Sequence, residues 1–358
     1  MKLGILTLPL LSNYGGILQN YALQQVLHSL GHEAITLNLP FPPDKKDKSQ
    51  KSLEREKSQI RLTNIQAFME NYIKQTNLLA WPFSFEQIKE IGLDGYVVGS
   101  DQVWRPTFSK RKFLKAMFLD FLPDNDNAVR LAYAVSFGSV HWSIGRILVY
   151  RMLLARYARK FAQISVREDI GAEYCKRYLN QPETPVVLDP VMLLNAKDYS
   201  DKLHLAESSD ANLMCYILDP TAAKTAFIQS ISRHLGLMTT ISFGSYDSTE
   251  GIMPSPIDWL NGFKNADFVI TDSFHGTVLS ILFGKPFIVF ANEARGLERF
   301  HTLLRPLKLE SRLLHLHDGN YELPHGFEFA VDYRHANDVL EELRRKSMDF
   351  LISNLKLN

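Results

Sequence analysis

The residues best suited to chemistry lie in the segment Asp267–Phe290, where a strand gives way to a helix. The apolar run 268–270 predicts a strand buried on both faces, and His275 and Gly276 precede an apolar helix predicted at 277–283. In an open α/β sheet, ligands bind beyond the carboxyl ends of the strands, and a helix N-terminus favours anions. A histidine at this place can donate a proton near neutral pH. We therefore predict that His275 is catalytic; the alternative is that it only caps the helix or packs.

A second candidate lies at the end of the strand predicted at 96–98, where Ser100 and Asp101 follow and Trp104 is close by. A carboxylate beside an aromatic ring is suited to a sugar. Asp101 could bind hydroxyls or act as a general base, and the ring of Trp104 could stack on the C–H faces. We predict that Ser100, Asp101 and Trp104 face a substrate. In the alternative, Asp101 caps a helix and Trp104 belongs to the core.

Two further strand-to-helix turns are candidates for ligand binding. Arg167 follows a predicted strand and could hold a carboxylate or phosphate through two parallel hydrogen bonds, or it could form a structural ion pair with Glu168. The turn that contains Asn13, Gly15 and Gly16 joins the first strand to the first helix. Paired glycines there allow the backbone to approach a ligand, although a structural turn capped by Asn13 is an equal alternative.

Alternating strands and helices position these turns. The sequence predicts a strand at 3–8, a helix at 17–30 and a strand at 33–39, joined by short links. Such a βαβ unit requires a parallel sheet, because the helix carries the chain back between two parallel strands. The alternation restarts after Leu194 with a strand predicted at 213–218. The predicted fold class is therefore α/β, with two facing Rossmann-like domains.

The restart of this pattern sets the predicted domain limits. We place an N-terminal domain at 1–190, a C-terminal domain at 191–335 and a last helix at 336–358 that packs back on the body. The length of 358 residues exceeds that of one ordinary core, which agrees with two domains. A charged segment from about residue 40 to residue 61 interrupts the first domain, and we predict a solvated insertion there rather than a lid.

The composition excludes several classes of protein. Hydrophobic residues make up 46% of the chain and charged residues 22%, which is typical of a soluble globular protein. The 40 basic and 39 acidic residues give a net charge of +1, so there is no electrostatic footprint for nucleic acid. Cys175 and Cys215 are too few for a disulfide framework, and they indicate a reducing compartment. No apolar run reaches the roughly eighteen residues of a membrane span.

Taken in order, five segments resemble the polysaccharide pyruvyl transferase family. Besides the segment around His275, they comprise the first strand-to-helix turn, the strand ends at Asp101 and Arg167, and an apolar stretch near the domain boundary. The segments are SNYGGILQNYALQQVL (12–27), DGYVVGSDQVWRP (94–106), ISVREDIGAEYCK (164–176), VVLDPVMLL (186–194) and DFVITDSFHGTVLSILFGKPFIVF (267–290). The ordered resemblance extends from residue 3 to about residue 300.

This resemblance implies both an arrangement and an activity. The arrangement is a pair of Rossmann-like domains similar to the GT-B glycosyltransferases, with the acceptor side in the N-terminal domain and the donor side in the C-terminal domain. The activity is transfer of a pyruvyl group, as a ketal, from phosphoenolpyruvate to two hydroxyls of one sugar unit. Arg167 matches an arginine that contributes to the phosphoenolpyruvate site of the family. We expect His275 to be the proton donor and Asp101 to face the acceptor.

The family signature around the histidine reads Arg, a hydrophobic residue, His, then Gly or Ala. This chain matches at the hydrophobic residue, at His275 and at Gly276, but Ser273 stands at the arginine position. Arg295 or Arg299, which follow shortly after, could replace the missing arginine. We count Ser273 and Gly276 as donor-binding residues, because the N–H groups of this turn could hold phosphate.

The resemblance implies no cofactor beyond phosphoenolpyruvate as donor substrate, and we expect catalysis without a metal ion. The expected partners are phosphoenolpyruvate and a saccharide acceptor, free or lipid-linked, in polysaccharide or exopolysaccharide biosynthesis. We expect a cytoplasmic protein, at the inner face of the membrane if the acceptor is lipid-linked. Two alternatives stay open: a GT-B-type glycosyltransferase that uses a nucleotide sugar, and a non-catalytic carbohydrate-binding relative, which Ser273 favours.

Overall fold

The computed structural model describes most of the chain, and the statements below concern the described residues alone. These are residues 1–40, 60–105, 111–138, 147–148, 150–208, 212–243, 251–292 and 296–356. The predicted charged insertion at about 40–61 therefore lies almost wholly outside them, as does Arg295.

The first domain is built on a sheet of five parallel strands in the order β2-β1-β3-β4-β5. Its strands are β1 (Lys2–Leu6), β2 (Glu33–Thr36), β3 (Gly95–Val98), β4 (Val129–Val135) and β5 (Gln163–Val166). Its helices are α1 (Tyr14–Ser29), α2 (Thr63–Tyr72), α3 (Arg111–Ala116), α4 (Ala155–Ala158) and α5 (Asp169–Tyr174). Two π-helical turns, Tyr150–Leu154 and Cys175–Leu179, adjoin α4 and α5.

The second domain has a parallel sheet of the same size, in the order β10-β9-β8-β6-β7. Its strands are β6 (Asn212–Ile217), β7 (Met238–Phe243), β8 (Phe268–Thr271), β9 (Phe287–Phe290) and β10 (Leu313–Leu314). The helices that follow the first domain are α6 (Ala196–Leu203), α7 (Ala222–Leu235), α8 (Pro256–Lys264), α9 (Phe274–Leu282), α10 (Glu298–Leu304) and α11 (Arg334–Asn354).

The two sheets share one connectivity, in which the first strand of each lies between the second and the third. In such sheets the direction of winding reverses beside the first strand, and a crevice opens there at the carboxyl ends of the strands. The crevices of the two domains lie between β1 and β3 and between β6 and β8. The predicted α/β class with two Rossmann-like domains is confirmed.

Buried strands and capped helices explain why these segments fold as they do. All four residues of β3, β8 and β9 are buried, which is typical of parallel strands covered by helices on both faces. Asn13 begins α1, and its side chain accepts a hydrogen bond from the N–H of Gly16. Cys175 and Cys215 are free, buried thiols.

Several contacts join the two domains. One hydrophobic cluster extends from β1 to the end of α11. The hydroxyl of Tyr14 donates to the carbonyl oxygen of Pro254 at 2.7 Å. Helix α11 returns to the first domain, where the N–H of Leu188 donates to Oγ of Ser347 at 3.0 Å. The domain limits given above stay a prediction. Among the helices of the described ranges, none is both long and apolar enough to span a membrane.

Candidate functional site

Five ionisable side chains meet where the carboxyl ends of the two sheets face each other. The first domain supplies two of them after β3 and β5, the link between the domains supplies one, and the second domain supplies two from α9 and α10. They are Asp101, Arg167, Asp189, His275 and Arg299. Each of the five residues is buried. A cluster of buried charges at a strand-end crevice is typical of a functional site.

Arg167 lies at the centre of this cluster. Its Nη1 donates to Oδ2 of Asp189 at 2.6 Å, and its Nη2 donates to Oδ1 of Asp101 at 3.1 Å. Its guanidinium also lies 4.7 Å from the ring centre of Phe274. The ion pairs of Arg167 are thus with two aspartates, and its buried Nε has no hydrogen-bond partner within the described ranges. Burial acts to raise the pKa of Asp101, but Arg167, His275 and Arg299 outweigh it and lower that pKa.

His275 lies in the first turn of α9, and its Nε2 is 3.5 Å from Oδ2 of Asp189. The imidazole packs against Gly15 at the start of α1, so the two domains touch here. A Cβ atom on Gly15 would lie 2.1 Å from Nδ1 of His275, closer than real atoms approach. The absence of a side chain at Gly15 therefore allows the histidine its position. The structure thus brings into contact His275 and Gly15, two candidate residues that were predicted at separate turns.

Arg299 is the second arginine of the cluster. Its guanidinium lies 5.2 Å from the ring centre of Phe274, so both arginines contact this ring. Burial, together with the like charge of Arg167, lowers the pKa of Arg299 to about 9. No carboxylate in the described part of the chain forms an ion pair with Arg299, and its buried Nε lacks a hydrogen-bond partner. Among the described residues, the site therefore contains one buried arginine that makes no direct ion pair, with Asp101 and Glu168 as the carboxylates that act on its charge from further away.

Glu168 follows Arg167 and is also buried. Its Oε1 accepts a hydrogen bond from the N–H of Phe137 at 2.9 Å, whereas its buried Oε2 has no hydrogen-bond partner in the part of the chain that the structure describes. Burial raises the pKa of Glu168, even though Arg167 opposes this rise. Within the described residues, no group of three or more His, Cys, Asp or Glu side chains is placed to hold a metal ion.

The turn residues predicted to bind the donor or another ligand have structural contacts. Helix α9 begins at Phe274, three residues earlier than predicted, because Ser273 caps it: Oγ of Ser273 accepts from the N–H of Gly276 at 3.4 Å. A Cβ atom on Gly276 would lie 2.3 Å from Oγ1 of Thr271, so glycine allows α9 to pack closely on β8. Asn13 caps α1 through the N–H of Gly16. The binding roles of Ser273, Gly276, Asn13 and Gly16 stay predictions.

The prediction that Trp104 stacks on a sugar is wrong. Its ring is fully buried and stacks on Phe118, with ring centres 4.2 Å apart. Its Nε1 donates to the carbonyl oxygen of Met117 at 2.9 Å. Ser100 is likewise fully buried; its Oγ donates to the carbonyl oxygen of Ala134, and its N–H donates to Oε1 of Gln19. Apolar packing outweighs exposure for a ring as large as that of Trp104. The hydrogen bonds of Ser100 hold the backbone near the strand ends.

Asp189 is the central residue that sequence reasoning missed. It follows the apolar stretch 186–188, and its side chain is fully buried. A carboxylate after a buried run is the signal that singled out Asp101, and the same signal was present here. Burial acts to raise the pKa of Asp189, but His275 and Arg167 hold it well below its ordinary value.

These features define a two-domain α/β protein whose site lies between the domains. The family model of the polysaccharide pyruvyl transferases matches residues 13–294. The match covers more than half of the 358 residues, so the chain belongs to the polysaccharide pyruvyl transferase family. It is accordingly a member of a transferase family of polysaccharide biosynthesis, as the resemblance of its motifs predicted.

The chain is also similar to solved structures. A protein assigned as a UDP-N-acetylglucosamine 2-epimerase from Listeria monocytogenes has a TM-score of 0.48 at 11% identity, over 98% of this chain and 90% of that one. MnaA from S. aureus, solved with UDP, has a TM-score of 0.47 at 13% identity, over 96% and 87%. The UDP-GlcNAc 2-epimerase of Methanocaldococcus jannaschii has a TM-score of 0.47 at 12% identity, over 95% and 98%. None of the curated proteins compared with this sequence matches it.

Proposed function

We propose that this protein transfers a pyruvyl group from phosphoenolpyruvate to two hydroxyls of one sugar unit in a polysaccharide or its precursor. The observation that carries the proposal is the buried guanidinium of Arg299, which makes no direct ion pair among the described residues and contacts the same Phe274 ring as Arg167, next to His275. A buried cation without a partner favours a small anion, which supplies the missing charge and hydrogen bonds. Phosphoenolpyruvate carries a carboxylate and a phosphate, and family membership makes it the first candidate.

Arg299 takes the place of the arginine that the family signature has at Ser273. Ser273 is the N-cap of α9, whereas Arg299 reaches the ring of Phe274 from α10. The charge would thus enter the donor site from a neighbouring helix rather than from the start of α9. Arg167 is the weaker candidate for direct donor binding, because two aspartates already occupy both of its terminal nitrogens.

The reaction begins with a proton from His275. The electron pair of the enol double bond takes this proton and forms a C–H bond at the methylene carbon, so positive charge develops at the neighbouring carbon. A sugar hydroxyl oxygen bonds to that carbon and releases its proton. Phosphate leaves with the electron pair of its C–O bond, and a second hydroxyl of the same sugar closes the ketal. One released proton restores His275, and the other goes to solvent.

Asp101 is better suited to hold groups in place than to remove a proton. Its pKa lies below the ordinary value because Arg167, His275 and Arg299 surround it, and a carboxylate of low pKa is a weak base. We assign Asp101 to the positioning of Arg167 and to accepting a hydrogen bond from the acceptor hydroxyl.

The proposal is tested by release of inorganic phosphate from phosphoenolpyruvate in the presence of a panel of free and lipid-linked saccharides. His275→Ala should lower kcat on the order of a hundredfold, the usual scale for a lost general acid. His325→Ala is the matched control, since His325 is an exposed histidine of the same domain, and it should behave like the wild type.

Calorimetry separates the proposal from its alternatives. Binding of phosphoenolpyruvate without binding of nucleotide sugars supports pyruvyl transfer. Binding of a nucleotide sugar with release of a nucleoside diphosphate, and none of phosphoenolpyruvate at millimolar concentration, would establish a glycosyltransferase instead. Binding of a saccharide without turnover of either donor would establish a carbohydrate-binding protein.

A further inference from the structure

Asp189 joins the two halves of the site. It lies in the link between the domains, immediately before the 3₁₀ turn Pro190–Leu193, and its side chain is fully buried. Its Oδ1 accepts a hydrogen bond from the N–H of Val191 at 3.0 Å. Its Oδ2 accepts from Nη1 of Arg167 at 2.6 Å and also lies 3.5 Å from Nε2 of His275. One carboxylate oxygen thus faces an arginine of the first domain and the histidine of the second.

We propose that Asp189 is the positioning residue of the proton donor: it holds the imidazole of His275 so that Nε2 faces the carboxylate and Nδ1 gives the proton to the donor. This inference rests on the proposed function for the identity of the donor. The placement of the histidine is a property of the free protein and can be measured without any substrate.

The surroundings of His275 explain why a carboxylate is needed at this place. The charged groups of the cluster around it are Asp189 from the link, Asp101 and Arg167 from the first domain and Arg299 from α10. The two arginines disfavour a protonated imidazole, and the two aspartates favour it. The pKa of Asp189 lies well below its ordinary value, so this carboxylate is ionised throughout the neutral range.

The geometry assigns the two ring nitrogens to different tasks. Nε2 is buried and has no other hydrogen-bond partner within the described residues, so Asp189 is the acceptor available to it. A distance of 3.5 Å is long for a hydrogen bond, and such contacts in unliganded sites commonly shorten when a substrate binds. Nδ1 lies on the other side of the ring, beside Gly15. Nδ1 is therefore the nitrogen left to meet the methylene carbon of the donor.

The first test follows the imidazole of His275 by NMR over a range of pH, with His275→Gln used to assign its signals. In Asp189→Asn the share of the neutral ring that carries its proton on Nε2 should fall several-fold, because an amide oxygen is a weaker acceptor than a carboxylate. An unchanged share would overturn the positioning role. If Asp189→Asn does not fold, the tautomer of the neutral His275 ring in the wild-type protein is measured instead. A proton on Nε2 supports the proposal, and a proton on Nδ1 refutes it.

The second test compares His275→Asn with His275→Gln. The amide nitrogen of asparagine falls near the place of Nδ1, and that of glutamine falls near the place of Nε2. If Nδ1 faces the donor, His275→Asn should bind phosphoenolpyruvate about tenfold more tightly than His275→Gln. The reverse order would show that Nε2 faces the donor. If the wild-type protein binds no phosphoenolpyruvate, the proposed function fails, while the NMR result still decides the role of Asp189.

Discussion

Among single residues, Arg299 and Arg167 differ in how their charges are compensated. Arg167 makes ion pairs with two aspartates, whereas Arg299 has no carboxylate partner among the described residues. An uncompensated buried cation destabilises a fold, because the desolvation of its charge is not offset. A chain that retains such a cation loses stability locally. Residues that lower stability in this way are typical of binding sites.

If Arg299 binds the donor, its replacement should affect binding and stability in opposite ways, which a purely structural arginine would not do. Arg299→Met should weaken phosphoenolpyruvate binding by about tenfold to a hundredfold, since a charge-assisted hydrogen bond contributes about 1.5–3 kcal/mol. The same change should leave the melting temperature equal or higher, because it removes a buried unpaired charge. Arg305→Met, at an exposed arginine just after α10, is the control and should alter neither quantity. An unchanged Kd for Arg299→Met would contradict the prediction.

The lowered pKa of Arg299 adds a pH dependence with a definite sign. Arg299 binds an anion only while protonated, and its pKa in the free protein is about 9. Affinity for phosphoenolpyruvate should therefore be full near neutral pH and fall as the pH rises through about 9. A bound anion favours the protonated form, so binding near pH 9 should also take up protons, which calorimetry in buffers of different ionisation enthalpy measures. An affinity that stays constant above this pH would show that Arg299 does not bind the donor.

The sequence predicted those residues of the site that directly follow strands. Polar residues after predicted strands singled out Asp101, Arg167 and His275, and parallel sheets bring such residues to one edge. The same strand-end signal was present at Asp189 but was not used. Its contacts with Arg167 and His275 could not be predicted, because these residues belong to different domains and no local pattern shows how the domains meet. Trp104 was misjudged because a ring next to a strand end can turn inward or outward, and core packing decides which.

Among the elements, α1 contacts the site through Gly15, which packs against His275. Alanine stabilises most helices relative to glycine by about 1 kcal/mol, so Gly15→Ala would be favourable without this contact. Here the new Cβ would lie 2.1 Å from Nδ1 of His275, and either the ring or the helix must move. We expect Gly15→Ala to lower phosphate release by at least tenfold, by loss of the near-attack position of the proton donor.

The neighbouring glycine gives a comparison for this prediction. In Gly16→Ala the new Cβ would lie 3.3 Å from Nδ2 of Asn13, at the end of a small side chain that can shift. Its effect on phosphate release should be clearly smaller than that of Gly15→Ala. Equal effects of the two changes would indicate a general disturbance of α1 rather than a displaced histidine.

Most elements were predictable because their hydrophobic periods agree with their packing. The strands predicted at 96–98 and 213–218 lie within one residue of β3 and β6 at both limits. The start of α9 was predicted too late because His275 and Gly276 separate Phe274 from the apolar run that follows. The apolar stretch 186–188 forms an isolated bridge between Val186 and Val166 rather than a full strand. Local pattern therefore predicts the type of an element better than its end.

At the scale of the whole molecule, the site depends on how the link between the domains is held. Leu188, the residue before Asp189, is fixed by groups far away in the sequence. Its carbonyl oxygen accepts a hydrogen bond from the hydroxyl of Tyr133 on β4, at 3.0 Å. Its N–H donates to Oγ of Ser347 on α11. Nearby, Nε of Arg344 donates to the carbonyl oxygen of Met192. The last helix thus supports the backbone that presents Asp189 to His275.

Ser347→Ala tests whether this support reaches the site. The change leaves the buried N–H of Leu188 without its acceptor, which should lower the free energy of unfolding by about 1–3 kcal/mol. Because Leu188 adjoins Asp189, the titration of the His275 ring should also change, although Ser347 touches neither side chain. Ser353→Ala, on an exposed face of the same helix, is the control and should change neither stability nor titration. A loss of stability with an unaltered His275 titration would show that α11 supports the fold without positioning the carboxylate.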